Sequence, residues 1–230
     1  PEKDKLETLR SLLLSIGSGS TIVFLNYRES VERASAYLSE QGFSVSAFHG
    51  GLDQRGRESA LYRFANGSAC ILVSTDLGSR GLDIPDVENI IHYHMPETKE
   101  AYLHRIGRTA RWDKNGRAFF ILATGEKIPD YVAGDIPNYS LSPKGMPARP
   151  RMTTLYIGKG KKDKISKGDL VGFLCKKGGL SKDDIGRIDV RDYYCYVAVN
   201  RSKAAEMLKK VRGEKIKGLR TLVEIAAPEA

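Results

Sequence analysis

The stretch ACILVSTDLGSRGLDIPDV, residues 69–87, opens on a short apolar run, ACILVS (69–74), and passes at once into polar and glycine residues. A strand followed directly by Thr75, Asp76, Gly78 and Gly81 describes a loop at a strand's carboxyl end, where ligands sit in open parallel sheets. The neighbouring segments supply the rest of such a sheet. Leu6, Leu9, Leu13 and Ile16 recur at helical spacing, TIVFL (21–25) is a β-rich run, and Val31, Ala34 and Leu38 mark an amphipathic helix closed by Gly42. FSVSAFH (43–49) reads as the next strand and residues 53–64 as a helix ended by Asn66-Gly67. ENIIHY (88–93) and RAFFIL (117–122) are two more strands of buried character. Strands alternating with helices predict an α/β domain, a largely parallel sheet with helices on both faces.

Between residues 124 and 152 the pattern weakens under Pro129, Pro137, Pro143, Pro147 and Pro150, and SPKGMPARP (142–150) is the best linker stretch. We therefore expect one domain over 1–147, a linker over 148–152 and a second domain over 153–230. In the second, TLYIG (154–158) is a strand and residues 168–175 a helix ended by Gly178-Gly179. Residues 185–190 and YYCYVAV (193–199) are strands, 202–211 a helix, and LRTLVEI (219–225) a last strand. The order βαββαβ is the smaller α+β sandwich used by RNA-recognition motifs.

Charge divides at the same boundary. Residues 1–150 hold 18 Lys and Arg against 18 Asp and Glu, whereas residues 151–230 hold 19 against 10, so the net +9 lies wholly in the last 80 residues. That asymmetry points to a polyanion-binding module joined to a neutral domain; a lysine-rich surface kept for solubility is the alternative. The 41% hydrophobic, 28% charged composition has no apolar run of membrane-span length, so no membrane partner is expected. Cys70, Cys175 and Cys195 are odd in number and widely spaced, with no CxxC, which favours a reduced, cytoplasmic setting without a metal site. The chain opens on Pro1 without an apolar leader, as expected for part of a longer protein.

HRIGRTAR (104–111) sets Arg105, Arg108 and Arg111 at three-residue spacing with no acidic residue between them. On one helix they would share about a third of the circumference, a geometry suited to phosphate, whose oxygens pair with the planar guanidinium fork. A solvated basic face is the other reading. HGGLDQRGR (49–57) places Gln54 and Arg57 near a helix start after a strand, again a phosphate-compatible position.

Taken together, these motifs resemble the second RecA-like domain of DEAD-box RNA helicases. IVFLNYRES (22–30) resembles motif IV, HGGLDQRGR the Gln/Arg element, LVSTDLGSRGLDIPDV (72–87) motif V and YLHRIGRTAR (102–111) motif VI. The resemblance implies that Arg108 and Arg111 reach the terminal phosphates of ATP as arginine fingers, and that Asp83 lies near the ribose. It implies that His104 and Arg105 couple the two helicase domains, and that Asn26, Gln54, Arg57, Thr75, Asp76 and Gly81 face RNA. Ala110 stands where motif VI commonly has Gly. No phosphate-cradling GxxxxGK[ST] loop and no DEAD tetrad occur in the chain. The resemblance therefore implies ATP and Mg²⁺ as cofactors of a full-length enzyme, with Mg²⁺ held by a first domain and neither expected on these 230 residues, which should be inactive alone.

The basic module resembles the C-terminal RNA-binding domain of DbpA-type helicases, from GKGKKDKI through DDIGRIDV (183–190) to KIKG (215–218). LYIGKG (155–160) puts Tyr156 at a stacking position, and DYYCYVAV (192–199) puts Tyr194 and Tyr196 on one face, with Cys195, Val197 and Val199 turned to the core. Asp192 and Tyr193 stand where a basic residue and Gly are usual. Tyrosines that merely pack against neighbours are the alternative. Lys161, Lys162 and Lys164 are candidates for phosphate contacts. The resemblance implies a structured RNA partner, a 23S rRNA hairpin, and work on the pre-ribosomal large subunit as a monomer. A non-catalytic RNA-binding adaptor with a helicase-like scaffold is the second reading. A DNA helicase of the same superfamily is the third, disfavoured by the RNA-recognition-like module.

Overall fold

Five short strands build the first sheet: β1 (Thr21–Leu25), β2 (Val45–Phe48), β3 (Ile71–Thr75), β4 (Asn89–His92) and β5 (Arg117–Phe120). The computed structural model describes residues 2–76, 87–109 and 116–226. The strands are all parallel in the order β2-β3-β1-β4-β5, with Thr21 opposite both Ile71 and Asn89.

Alternation along the strands explains the two-sided cover. Val23, Leu25, Val73 and Ile91 point to one face, where α1 (Glu2–Ile16) brings Leu9, Leu12 and Leu13, and α2 (Arg28–Glu40) brings Val31, Ala34 and Leu38. Ile22, Phe24, Leu72 and Ile90 point to the other, against Ala60 and Phe64 of α3 (Gln54–Ala65). Each fully buried side chain contributes about 1.5–3 kcal/mol over an exposed one, and β1, central in the strand order, is buried at all its residues, as are its neighbours β3 and β4. A fourth helix, α4 (Lys99–Ile106), is capped by Thr98, whose Oγ1 accepts from the Ala101 N–H at 3.1 Å.

The region after β5 carries no regular element and is largely exposed, yet it is tied to the domain at several points. Glu126 accepts from Lys5 at 2.8 Å, Tyr139 meets Phe119 edge to face at 5.1 Å, and the Ser142 N–H donates to Ser15 Oγ at 2.9 Å. It thereby lies over the edge strand β5, a position where an unpaired strand would otherwise invite association.

The chain divides into two compact units, Pro1–Phe64 with Ala69–Arg149 and Ala65–Ser68 with Pro150–Ala230. The second holds β6 (Met152–Ile157), α5 (Lys167–Lys176), β7 (Ile185–Val190), β8 (Cys195–Asn200), α6 (Arg201–Val211) and a small hairpin, β9 (Lys215–Ile216) with β10 (Leu219–Arg220), before β11 (Val223–Ile225). Its antiparallel sheet runs β11-β6-β8-β7. Leu155, Ile157, Cys195, Val197 and Val199 fill the core with Leu170, Phe173, Leu174, Ala204 and Met207 from the two helices, so the alternation expected along β8 holds. Ser166 and Asp169 form a reciprocal cap that starts α5. Gly179, at φ +73°, ends the turn beyond it, and the Leu180 N–H reaches back to the Leu174 carbonyl at 3.1 Å.

Three boundaries differ from expectation. Met152, assigned to the linker, already belongs to β6. The strand expected from Tyr193 starts at Cys195, because residues 191–194 form a closed turn with the Arg191 N–H on the Tyr194 carbonyl at 2.8 Å. The expected strand 219–225 splits: Lys217 and Gly218, both at positive φ, turn the chain back into the β9–β10 hairpin before β11 begins.

Candidate nucleic-acid interface

The carboxyl ends of β1 to β4 open into one cleft, lined by Asn26 and Arg28 after β1, Gly50 and Gly51 after β2, Thr75 and Asp76 at the end of β3, and Glu97, Thr98 and Ala101 after β4. The topology thus brings three of the predicted RNA-facing residues, Asn26, Thr75 and Asp76, onto one surface. Gly81, Asp83 and Arg111 lie outside the described residues, as does Ala110.

The floor of this cleft is held by a single side chain. Arg105, 1% exposed, donates from Nε to Asp76 Oδ1 at 2.7 Å and from Nη2 to Asp76 Oδ2 at 2.6 Å. Its Nη1 reaches the His94 carbonyl at 2.7 Å, and Nη2 also donates to Asn26 Oδ1 at 2.9 Å. Asn26 in turn donates to the Met95 carbonyl and, from its backbone N–H, to His94 Nδ1, both at 3.1 Å. The Phe24 ring lies 5.2 Å from the guanidinium. A bidentate pair of this kind fixes direction as well as charge, so Asn26 after β1, Asp76 at the end of β3 and His94 after β4 are tied to one point.

This corrects the reading of the arginine segment. Arg105 and Arg108 do not share one helix face, because α4 ends at Ile106 and Gly107 caps it. Beyond the cap, Thr109 bridges Val87 in parallel, and the Val87 N–H donates to the Arg108 carbonyl at 3.0 Å. A helix continued through that point would lose this pairing. Arg105 therefore turns inward to Asp76, whereas Arg108 is only half-buried and His104 is exposed. Both carboxylate oxygens of Asp76 are engaged by Arg105, so its side chain acts on the cleft through position more than through a free charge.

Next to Arg105 sits His92, fully buried, its ring stacked on Phe120 at 4.4 Å and its Nδ1 3.4 Å from Arg105 Nη1. Burial first, and then the Arg105 charge, lower its pKa to about 3, so it is a neutral acceptor toward the guanidinium. Its Nε2 has no hydrogen-bond partner among the described residues.

Gln54 and Arg57 begin α3 apart from the cleft lining. Arg57 Nη2 donates to Gln54 Oε1 at 3.1 Å, and Gln54 Nε2 donates to Glu58 Oε1 at 2.8 Å, an exposed chain that holds both side chains outward. Arg28 was missed in the sequence. It is exposed, borders the cleft and has no polar partner among the described residues. Its signal was simply its place, one residue past the strand-end pair Asn26-Tyr27.

In the second unit Tyr156, Tyr194 and Tyr196 do gather. Tyr156 stacks on Tyr194 at 5.7 Å, and Tyr196 meets Tyr194 at 5.2 Å and Tyr156 at 6.1 Å, both edge to face. Tyr156 and Tyr196 are opposite in register. Tyr196 is only 4% exposed, so the accessible aromatic surface belongs to Tyr156 and Tyr194. Lys161, Lys162 and Lys164 are exposed on the loop after β6. Lys217 links that loop to the β9–β10 hairpin, donating to the Lys164 carbonyl at 2.8 Å and pairing with Asp169 at 3.3 Å.

Comparison with known proteins agrees with this division. Residues 4–113 match the helicase conserved C-terminal domain and residues 154–225 the DbpA RNA binding domain. The chain is 38% identical over 223 residues to the ATP-dependent RNA helicase DbpA of Escherichia coli K12, covering 94% of this chain and 49% of that protein. It is 30% identical over 246 residues to the DbpA of Bacillus subtilis 168, covering 94% and 51%. The chain thus spans about half the length of these curated relatives. Among solved structures, the E. coli DEAD-box protein SrmB bound to regulator of ribonuclease activity A matches with a TM-score of 0.50 at 37% identity, over 52% of this chain and 71% of that one. A DEAD-box protein from the hyperthermophile Methanococcus jannaschii matches with 0.50 at 36% identity, over 53% and 33%.

Proposed function

Because the chain belongs to the DbpA type of DEAD-box RNA helicases, we propose that it is the C-terminal part of an ATP-dependent RNA helicase that binds structured large-subunit (23S-type) rRNA in ribosome assembly. The same reading makes it a cytoplasmic, monomeric protein. The observation that carries it is the strand-end cleft, where Arg105 ties Asn26 and Asp76 beside Arg28, a cation with no polar partner among the described residues. A single RNA strand laid across that cleft would meet Arg28 and the glycine backbone at Gly50 and Gly51 through its phosphates, contacts that position a strand without reading its sequence.

On the nucleotide side, Arg108 and Arg111 are assigned to the terminal phosphates of ATP and Asp83 to the ribose. Guanidinium groups there neutralise charge that grows as the phosphoryl group leaves, an effect worth roughly 10³–10⁵ in rate where it has been isolated. The same reading leaves Mg²⁺ to a first helicase domain outside these 230 residues. ATP with Mg²⁺, when bound, would supply the bond whose hydrolysis restores the open state. Local strand separation follows from bending one RNA strand across both helicase domains.

Two measurements test this. Binding of the chain to a large-subunit rRNA hairpin against an unrelated hairpin, across a salt series, should be selective; equal binding that collapses with salt removes the rRNA assignment. In the full-length protein, Arg108→Ala should lower RNA-stimulated ATP hydrolysis about a thousandfold. A full-length protein with no ATPase activity at all is instead the scaffold-type adaptor.

A further inference from the structure

Tyr193 is the most exposed aromatic residue among those described, with 70% of its surface open, and it has no hydrogen bond or ring contact there. A lone exposed apolar side chain needs no explanation by itself. What distinguishes Tyr193 is how firmly its backbone is held and what stands beside it.

The turn that carries it is closed by the Arg191 N–H on the Tyr194 carbonyl, and the next chain segment pins it from outside. The Lys161 N–H donates to the Arg191 carbonyl at 2.8 Å and the Lys162 N–H to the Asp192 carbonyl at 2.9 Å. Gly160 permits the approach, since a Cβ there would stand 2.3 Å from the Arg191 oxygen. The backbone of two lysines is therefore locked to the two residues before Tyr193. Lys161 and Lys162 are exposed, and neither ammonium has an ion pair or hydrogen bond among the described residues. An exposed ring on a rigid turn, flanked by two uncompensated cations, is the arrangement in which a base stacks while its neighbouring phosphates are neutralised.

We propose that Tyr193, Lys161 and Lys162 form an RNA contact site at the β7–β8 tip, separate from the Tyr156–Tyr194 face. It takes one unpaired base of a structured RNA on the Tyr193 ring and the flanking phosphates on the two lysines. The proposal rests on the RNA-binding reading above and adds the element that would recognise a loop or bulge over a continuous duplex, whose stacked bases the ring cannot reach.

The test uses the full 230-residue chain, a large-subunit rRNA hairpin with an unpaired loop, and the same hairpin made abasic at successive loop positions. Tyr193→Ala should raise Kd about tenfold with an unchanged melting temperature and salt slope, and Tyr193→Phe should restore binding. At one abasic position the Tyr193→Ala penalty should vanish. Lys161→Ala with Lys162→Ala should flatten the salt dependence by about 1.5 in log–log slope. Tyr193→Ala binding within about twofold of a wild-type chain that does bind the hairpin overturns the site and leaves the RNA-binding reading standing. A wild-type chain without hairpin affinity overturns that reading itself.

Discussion

Arg105 and Asp76, 29 residues apart, meet fork to fork, with the guanidinium at 2.7 and 2.6 Å from the two carboxylate oxygens. The arginine is fully inside and the carboxylate keeps less than a quarter of its side-chain surface. Removing either partner leaves a buried charge unanswered, which costs about 3–5 kcal/mol in comparable pairs. Asp76→Ala should therefore lower the unfolding free energy of the first unit by that amount, read from a lower denaturation midpoint. Arg105→Lys should rescue little, because a point charge cannot span both oxygens and also hold the His94 carbonyl and Asn26. Chemical denaturation of both variants, followed by a double-mutant cycle, reads this directly.

His92 gives the first unit a stability that depends on pH. Its folded pKa, lowered to about 3, lies below the unfolded value near 6.5, so the unfolded chain binds the extra proton first. The contribution is complete above about pH 6.5 and is lost as pH falls toward 3. From pH 7 to 5 the loss should be about 2 kcal/mol. His92→Gln should flatten the profile over that interval. An unchanged slope in the variant would assign the acid sensitivity to other groups.

The strand-end cleft was legible because the apolar run 69–74 passes abruptly into Thr75 and Asp76, and a parallel sheet puts ligands at that junction. The partner of Arg105 was not legible. It depends on the strand order β3-β1-β4, which carries the end of β3 to within reach of α4. Nor could local spacing locate the end of α4, since the helix stops where Thr109 must bridge Val87. The alternation of Cys195, Val197 and Val199 was readable from the period of two, but the start of β8 was not. Contacts from Lys161 and Lys162, some thirty residues earlier, hold residues 191–194 as a turn.

Gly160 should be intolerant of any side chain. A Cβ would fall 2.3 Å from the Arg191 oxygen and 2.7 Å from the Asp192 carbonyl, both backbone atoms that have no rotamer to yield. Gly160→Ala should cost about 1–3 kcal/mol as overpacking and loosen the pairing of the 159–164 loop with the 191–194 turn. Amide hydrogen exchange at Lys161 and Lys162 should quicken in the variant while exchange in β1 stays slow.

Arg28 should contribute charge to RNA binding and little to the fold, since it is exposed and has no polar partner among the described residues. Neutralising one phosphate contact removes roughly 0.7 from the log–log salt slope for a single strand. Arg28→Ala should thus weaken binding of single-stranded RNA at low salt, with the difference shrinking as salt rises and with no change in melting temperature. The sequence of the RNA should not matter, because a phosphate contact positions the strand without reading its bases. A variant that binds with wild-type slope would remove Arg28 from the strand's path and shift the cleft's cationic contact to the first turn of α3, where Arg57 stands tied to Gln54.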